Sequence, residues 1–187
     1  MSQFEYLSVL ISIIIGLAIT QLLSGAARLI QIRKRVRPHA TTLCWMVVLF
    51  LVDTQIWWAA FTMREVRYWN FFHFLFYLLL PILAFLLSYL VLPELGDEDD
   101  IDLAENFVGN RPWFFGLMAA IPTISLVNEY FNRDGIRWNA DSGFRVILFA
   151  VALVASFVHN ARFHAWNALF ALALVCGYFA TVFLHLH

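Results

Sequence analysis

The chain has 187 residues, 62% hydrophobic and only 13% charged, with a formal net charge of −1. Soluble domains average about 45–50% apolar and about 25% charged residues, so the apolar excess is more than one soluble core of this size can hide. With no basic patch interleaved with aromatics, the composition points away from nucleic acid as a partner.

The apolar residues fall in blocks separated by charges, and a membrane span takes about 20 residues at 1.5 Å rise each. The fold class expected is therefore all-α: a polytopic membrane protein with a single domain, a bundle of six transmembrane helices. The spans are placed at residues 4–29, 42–63, 69–92, 113–131, 144–159 and 163–185. The first block lacks a basic flank and is too long for a signal-peptide core, so it reads as a retained helix.

Span 1 carries a small or hydroxyl residue at every fourth position: Ser8, Ser12, Gly16, Thr20 and Ser24. Residues four apart lie nearly above one another on a helix. Such a stripe admits another helix at close range in a bilayer, or lines a wet path. Gln21, beside it, can donate and accept across to a neighbour. Arg28, Arg33, Lys34, Arg35 and Arg37 follow, the densest positive cluster in the chain. The positive-inside rule puts that cluster in the cytoplasm, and both termini on the outer side.

Span 2 has Trp45 near its inner end and Asp53 near its middle, with Gln55 beside it. An acid at mid-depth costs about 2.5–3.5 kcal/mol to insert. It reads either as a proton-relay or cation-site carboxylate, or as an acid hydrogen-bonded to the span 1 stripe. Span 3 is nearly solid Phe, Leu and Tyr, with Pro81 inside and His73 near its outer end.

The stretch 93–112 reads as an acidic inner loop on the same side as the arginine cluster, able to form ion pairs with it. It lacks the ligand spacing of a calcium-binding loop. Span 4 carries Gly116, Ala120 and Pro122, and then Asn128 and Glu129 toward its outer end. The run from Phe144 to Leu186 is twice the length one span needs and divides at a turn near Asn160.

Around that turn, His159, Asn160, Arg162 and His164, with Asn167 nearby, form a candidate cluster for a lipid headgroup or an anion. Span 6 repeats small spacing at Ala173, Gly177 and Thr181, and is expected to pack on span 1 through these faces. Two histidines at similar outer depth, His73 and His185, are a remote candidate pair for haem. Cys44 and Cys176 stand alone in apolar runs and read as small hydrophobes. No nucleophile elbow, phosphate-binding loop, zinc spacing or histidine box is present, so no catalytic residue, metal site or resident cofactor is assigned.

These observations lead to an ion- or proton-conducting channel or small transporter using Asp53. The alternative is a non-catalytic, membrane-embedded structural or interaction subunit that assembles through small-residue helix faces. A haem- or lipid-binding membrane enzyme is the third reading. The expected partners are the lipid bilayer and either further copies of the chain or another membrane subunit, in a plasma or bacterial inner membrane.

Overall fold

A computed structural model describes residues 3–61, 64, 71–93, 101–133 and 138–183. They form six helices: α1 (Gln3–Gln31), α2 (Ala40–Ala60), α3 (Phe71–Leu90), α4 (Leu103–Arg133), α5 (Ala140–Phe157) and α6 (Ala161–Tyr178), the last continued by a wide turn of π-helix at Phe179–Phe183. The chain is thus all-α. Four helices, α1, α2, α5 and α6, are long and apolar enough to cross a membrane. The apolar part of α3, Phe74–Leu90, is shorter. α4 is the longest helix at 31 residues, but it carries Glu105, Arg111 and Glu129 along its length.

The beginning of α4 departs from expectation. It starts at Leu103, inside the stretch read as a loop. Asp102 is the reason: its Oδ1 accepts from the Ala104 N–H at 2.8 Å and the Glu105 N–H at 3.3 Å. These donors have no partner inside the helix, and a side-chain oxygen just before the first turn satisfies them. The Asp102-x-x-Glu105 spacing is that of a helix-starting capping box. Asn139 does the same for α5, accepting from Ser142 N–H at 3.0 Å. The acidic residues from Glu94 to Asp100 lie outside the described residues.

Contacts at the ends establish that successive helices alternate in direction. At one end, the C-terminal part of α1 meets the residues just after α3, where Gly25 lies against Leu92. Val36–Arg37 pairs in parallel with Ile101–Asp102 as a two-residue ladder, β1 with β2. The Arg37 and Asp102 side chains are 3.8 Å apart, joining the basic and acidic segments as anticipated. The Thr42 hydroxyl donates to the Leu103 carbonyl at 3.3 Å, and His164, just after the α5–α6 turn, packs on Phe107 and Phe115. The end of α1, start of α2, end of α3, start of α4 and the α5–α6 turn therefore share one end.

The core follows from which face each helix turns inward. α1 buries Ile11, Ile15, Ala18 and Leu22, a seam spaced by fours and threes, against α3 and α2. α6 buries His164, Asn167, Ala168, Ala171 and Val175, and packs chiefly on α2 and then α5. The expected close packing of the first and last helices through small faces is not present among the described residues. Small residues are buried elsewhere: Ala152 and Ala155 on α5, and Ala168 and Ala171 on α6, are all almost fully buried.

Candidate functional site

Three polar groupings lie within this apolar bundle. At mid-height, Asp53 of α2 is fully buried. Its Oδ2 accepts from the Ser88 hydroxyl of α3 at 3.0 Å, and its Oδ1 has no partner among the described residues. The carboxyl does not meet the α1 stripe, which was the expected surface for satisfying it. Sequence reasoning passed over Ser88 because a lone serine in a Phe/Leu-rich helix carries no periodic signal. The usable clue was that it is the sole hydroxyl of α3 below Tyr77 apart from Tyr89. Gln21 is half-buried on α1.

Toward the opposite end from the α5–α6 turn, α2, α4, α5 and α6 share an ionic network. Arg145 reaches Glu129 at 2.7 Å and also pairs with Asp141. Asp141 accepts from the Tyr178 hydroxyl at 2.8 Å, and Gln55 hydrogen-bonds Tyr178 in turn. Asn128 is buried beside Glu129. The structure thus brings two expected residues, Gln55 and Glu129, into one chain of bonds. Arg145, Asp141 and Tyr178 complete it and were not anticipated. Asp141 and Arg145 stand four apart at the start of α5, a spacing suited to a same-face ion pair.

The third grouping is at the turn end, where α4 and α6 face each other. Of the four residues proposed for a headgroup or anion cluster, only His164 is buried; His159, Asn160 and Arg162 are exposed. Asn160 instead caps α6, accepting from the Arg162 N–H at 2.9 Å. His159 Nδ1 bonds the Phe157 carbonyl at 2.9 Å. His164 Nε2–H donates to the Val158 carbonyl at 2.8 Å, and its ring stacks on Phe115 at 5.3 Å. Arg111 of α4 lies on the same helix face as Phe107 and Phe115, near enough for its charge to act on the His164 ring.

Arg111, His164 and Asn167 are 7%, 3% and 6% exposed. Arg111 Nε, His164 Nδ1 and Asn167 Nδ2 all lack hydrogen-bond partners among the described residues. The indole N–H of Trp45, which packs edge-on against Phe115 at 5.4 Å, is also unbonded. Close by, His39 at the start of α2 donates from Nδ1 to the Thr42 hydroxyl at 3.0 Å. The single Thr42 proton is committed to Leu103, which fixes that direction. Burial holds the His39 pKa below its ordinary 6.5, and the charge of Asp102 opposes this only in part.

The stripe of α1 is turned outward. Ser12, Gly16, Thr20 and Ser24 are exposed and Ser8 is half-buried. A Cβ added at Gly16 would meet nothing within 4 Å. Each step of four residues overshoots a full turn by about 40°, so the stripe winds away from the buried seam beginning at Ser8. On α6, Ala173 and Thr181 are exposed and Gly177 is half-buried. The Thr181 hydroxyl bonds back to the Gly177 carbonyl at 2.9 Å.

His185 lies outside the described residues, as does the His73 side chain, so the haem pair has no described geometry. No group of three or more His, Cys, Asp or Glu side chains able to hold a metal occurs among the described residues. Compared with protein families, curated proteins and solved structures, the chain matches none of them.

Proposed function

We propose that this chain is a membrane-embedded structural subunit that assembles with a second copy of itself through the outward stripe of α1. In this reading all six helices cross the bilayer, with the Arg28–Arg37 end in the cytoplasm and both termini outside. The observation that supports it best is the orientation of Ser12, Gly16, Thr20 and Ser24, all exposed on the helix opposite its buried seam. In a bilayer, association gains nothing from hiding apolar surface from lipid tails. It relies on close packing, which small residues permit. A spacing of four on both partners also specifies a crossing angle of about −40° to −50°.

The test exploits the open space at Gly16. Because a Cβ at Gly16 meets nothing within 4 Å and Thr20 is exposed, Gly16→Leu with Thr20→Leu should leave the monomer intact. The doubly substituted protein should elute from a sizing column in detergent as a smaller particle than the wild type. Equal elution volumes would remove this reading.

A second reading, an ion or proton pathway through the bundle, is supported by the unpartnered Oδ1 of buried Asp53. A packing role alone is met more cheaply by serine or asparagine than by an acid carrying an insertion penalty. It requires flux in liposomes that falls in Asp53→Asn. Absence of flux from the wild type, or flux unchanged by the substitution, would eliminate it.

A further inference from the structure

α4 is longer than a bilayer needs. Its 31 residues run about 46 Å, against a hydrocarbon core of about 30 Å. Its composition changes partway along. Residues 103–112 include Glu105, Asn106, Asn110 and Arg111, whereas no charged residue occurs between Arg111 and Glu129. Trp113 stands at the change, 72% exposed. Tyr130 stands exposed at the far end of the charge-free stretch.

α3 gives the same length independently. It carries no Asp, Glu, Lys or Arg, and it exposes Phe72 at its start and Tyr89 near its end. Phe72 and Tyr89, like Trp113 and Tyr130, are seventeen residues apart, about 26 Å along a helix. The two helices run in opposite directions, so Tyr89 and Trp113 share one end of the bundle, and Phe72 and Tyr130 the other. Further helices add to both levels. On α6, Trp166 is 73% exposed. It stands two residues after His164, which stacks on Phe115, so it lies within about 6 Å of the height of Trp113. At the opposite end Trp138, just before α5, is 82% exposed. Between the levels the helices turn Leu75, Ile82, Ile147 and Leu153 outward.

An open indole or phenol suits neither water nor hydrocarbon alone, because its ring is apolar and its N–H or O–H needs a partner. The headgroup layer supplies both, which is why Trp and Tyr gather at the two faces of a membrane. Two such levels near one core thickness apart, with apolar surface between them, fit a phospholipid bilayer. A protein partner covers one side of a bundle, whereas these aromatics are spread over α3, α4, α6 and the start of α5.

We propose that Tyr89, Trp113 and Trp166 at the end bearing the α5–α6 turn, and Phe72, Tyr130 and Trp138 at the other, contact the two headgroup layers of a phospholipid bilayer. α3 and α4 cross between them. Residues 103–112 and the β1–β2 ladder then stand outside the hydrocarbon core as a folded cap. This rests on the membrane reading proposed above and adds where the faces of the bilayer fall; it is independent of assembly through α1.

The experiment uses the full chain with Cys44 and Cys176 replaced by serine, reconstituted in phosphatidylcholine vesicles. Single cysteines replace Val108 in the cap, Gly116 and Thr123 of α4 between the levels, and Ile82 of α3. All four positions are exposed, and a Cβ at Gly116 meets nothing within 4 Å. A charged, water-soluble maleimide is supplied on both sides of the membrane. It reacts with the thiolate, which hydrocarbon suppresses, so Val108→Cys should react about tenfold faster or more than the other three. In a second measurement, the part of the tryptophan fluorescence that Trp113→Phe removes should be quenched more by phosphatidylcholine brominated near the headgroup than by lipid brominated at the chain ends.

Fast reaction at all four positions would overturn the proposal together with the crossing of α3 and α4. Slow reaction at all four would overturn the cap and its boundary at Trp113 while leaving the crossing intact. Slow reaction at Gly116→Cys and Thr123→Cys with Trp113 quenched by neither lipid would mean that protein covers that end, and would overturn the lipid contact.

Discussion

Among the described residues, Ser88 is the single hydrogen-bond partner of fully buried Asp53, so its removal tests the chemistry at Asp53 directly. Ser88→Ala strands both carboxyl oxygens and should destabilise the protein by about 1–3 kcal/mol, the usual cost of an unsatisfied buried polar group. Asp53→Leu combined with Ser88→Ala removes both partners together and should recover most of that loss, read as the denaturation midpoint in detergent.

His39 provides a pH-dependent counterpart outside the spans. Its folded pKa lies below 6.5, so the unfolded chain binds the proton more readily than the folded one. The contribution of His39 to stability is therefore complete above about pH 6.5 and declines as pH falls through the folded value. Melting curves across that window should fall less steeply for His39→Gln than for wild type. Parallel curves would show that burial does not hold the His39 pKa down.

At the scale of the element, α1 has two faces with different duties. The buried seam of Ile11, Ile15, Ala18 and Leu22 joins it to α3 and α2, and at Gly25 the helix approaches Leu92 so closely that a Cβ there collides with the leucine side chain. Gly25→Val should cost about 1–3 kcal/mol by overpacking. Gly25→Ala should cost less, because the atom it meets is the free end of a rotatable side chain. Gly16, nine residues earlier on the open face, should tolerate the same changes without loss of monomer stability. In α4 the corresponding control point is its start: Asp102→Ala removes the acceptor for two backbone donors and should cost about 0.5–2 kcal/mol.

For the whole molecule, the alternation of helix directions places the ladder of Val36–Arg37 with Ile101–Asp102, the Gly25–Leu92 contact and the α5–α6 turn together at one end. The Arg145 network lies at the other. The exposed Arg37–Asp102 pair contributes only about 0–1 kcal/mol, so the link at that end rests on the backbone ladder and buried contacts. Self-assembly through α1 makes a positional prediction. With Cys44 and Cys176 replaced by serine, a cysteine at Ser12 or Thr20 should form an oxidative cross-link between copies in the membrane, whereas one at buried Ala18 should not. Cross-linking equal at all three positions would place contact between copies elsewhere.

Composition and run length alone pointed to the helical class and to segments apolar enough for a bilayer, which demands long apolar segments whose backbone bonds are satisfied internally. The division of the last apolar run near Asn160 was legible for the same reason of length, and Asp53 was conspicuous because a charge at that depth is rare. The helix start at Asp102 was also written in the chain, as a capping box hidden in an acidic stretch. What only the tertiary structure decided was which face of each helix turns inward. Ser8 to Ser24 and Ile11 to Leu22 are both regular spacings on α1, and lipid accepts either one, so nothing local distinguishes the packed face from the open one. The partner of Asp53 and the approach of Arg111 to His164 depend on the same choice. Each joins residues on different helices, and only the rotation of those helices in the bundle brings them together.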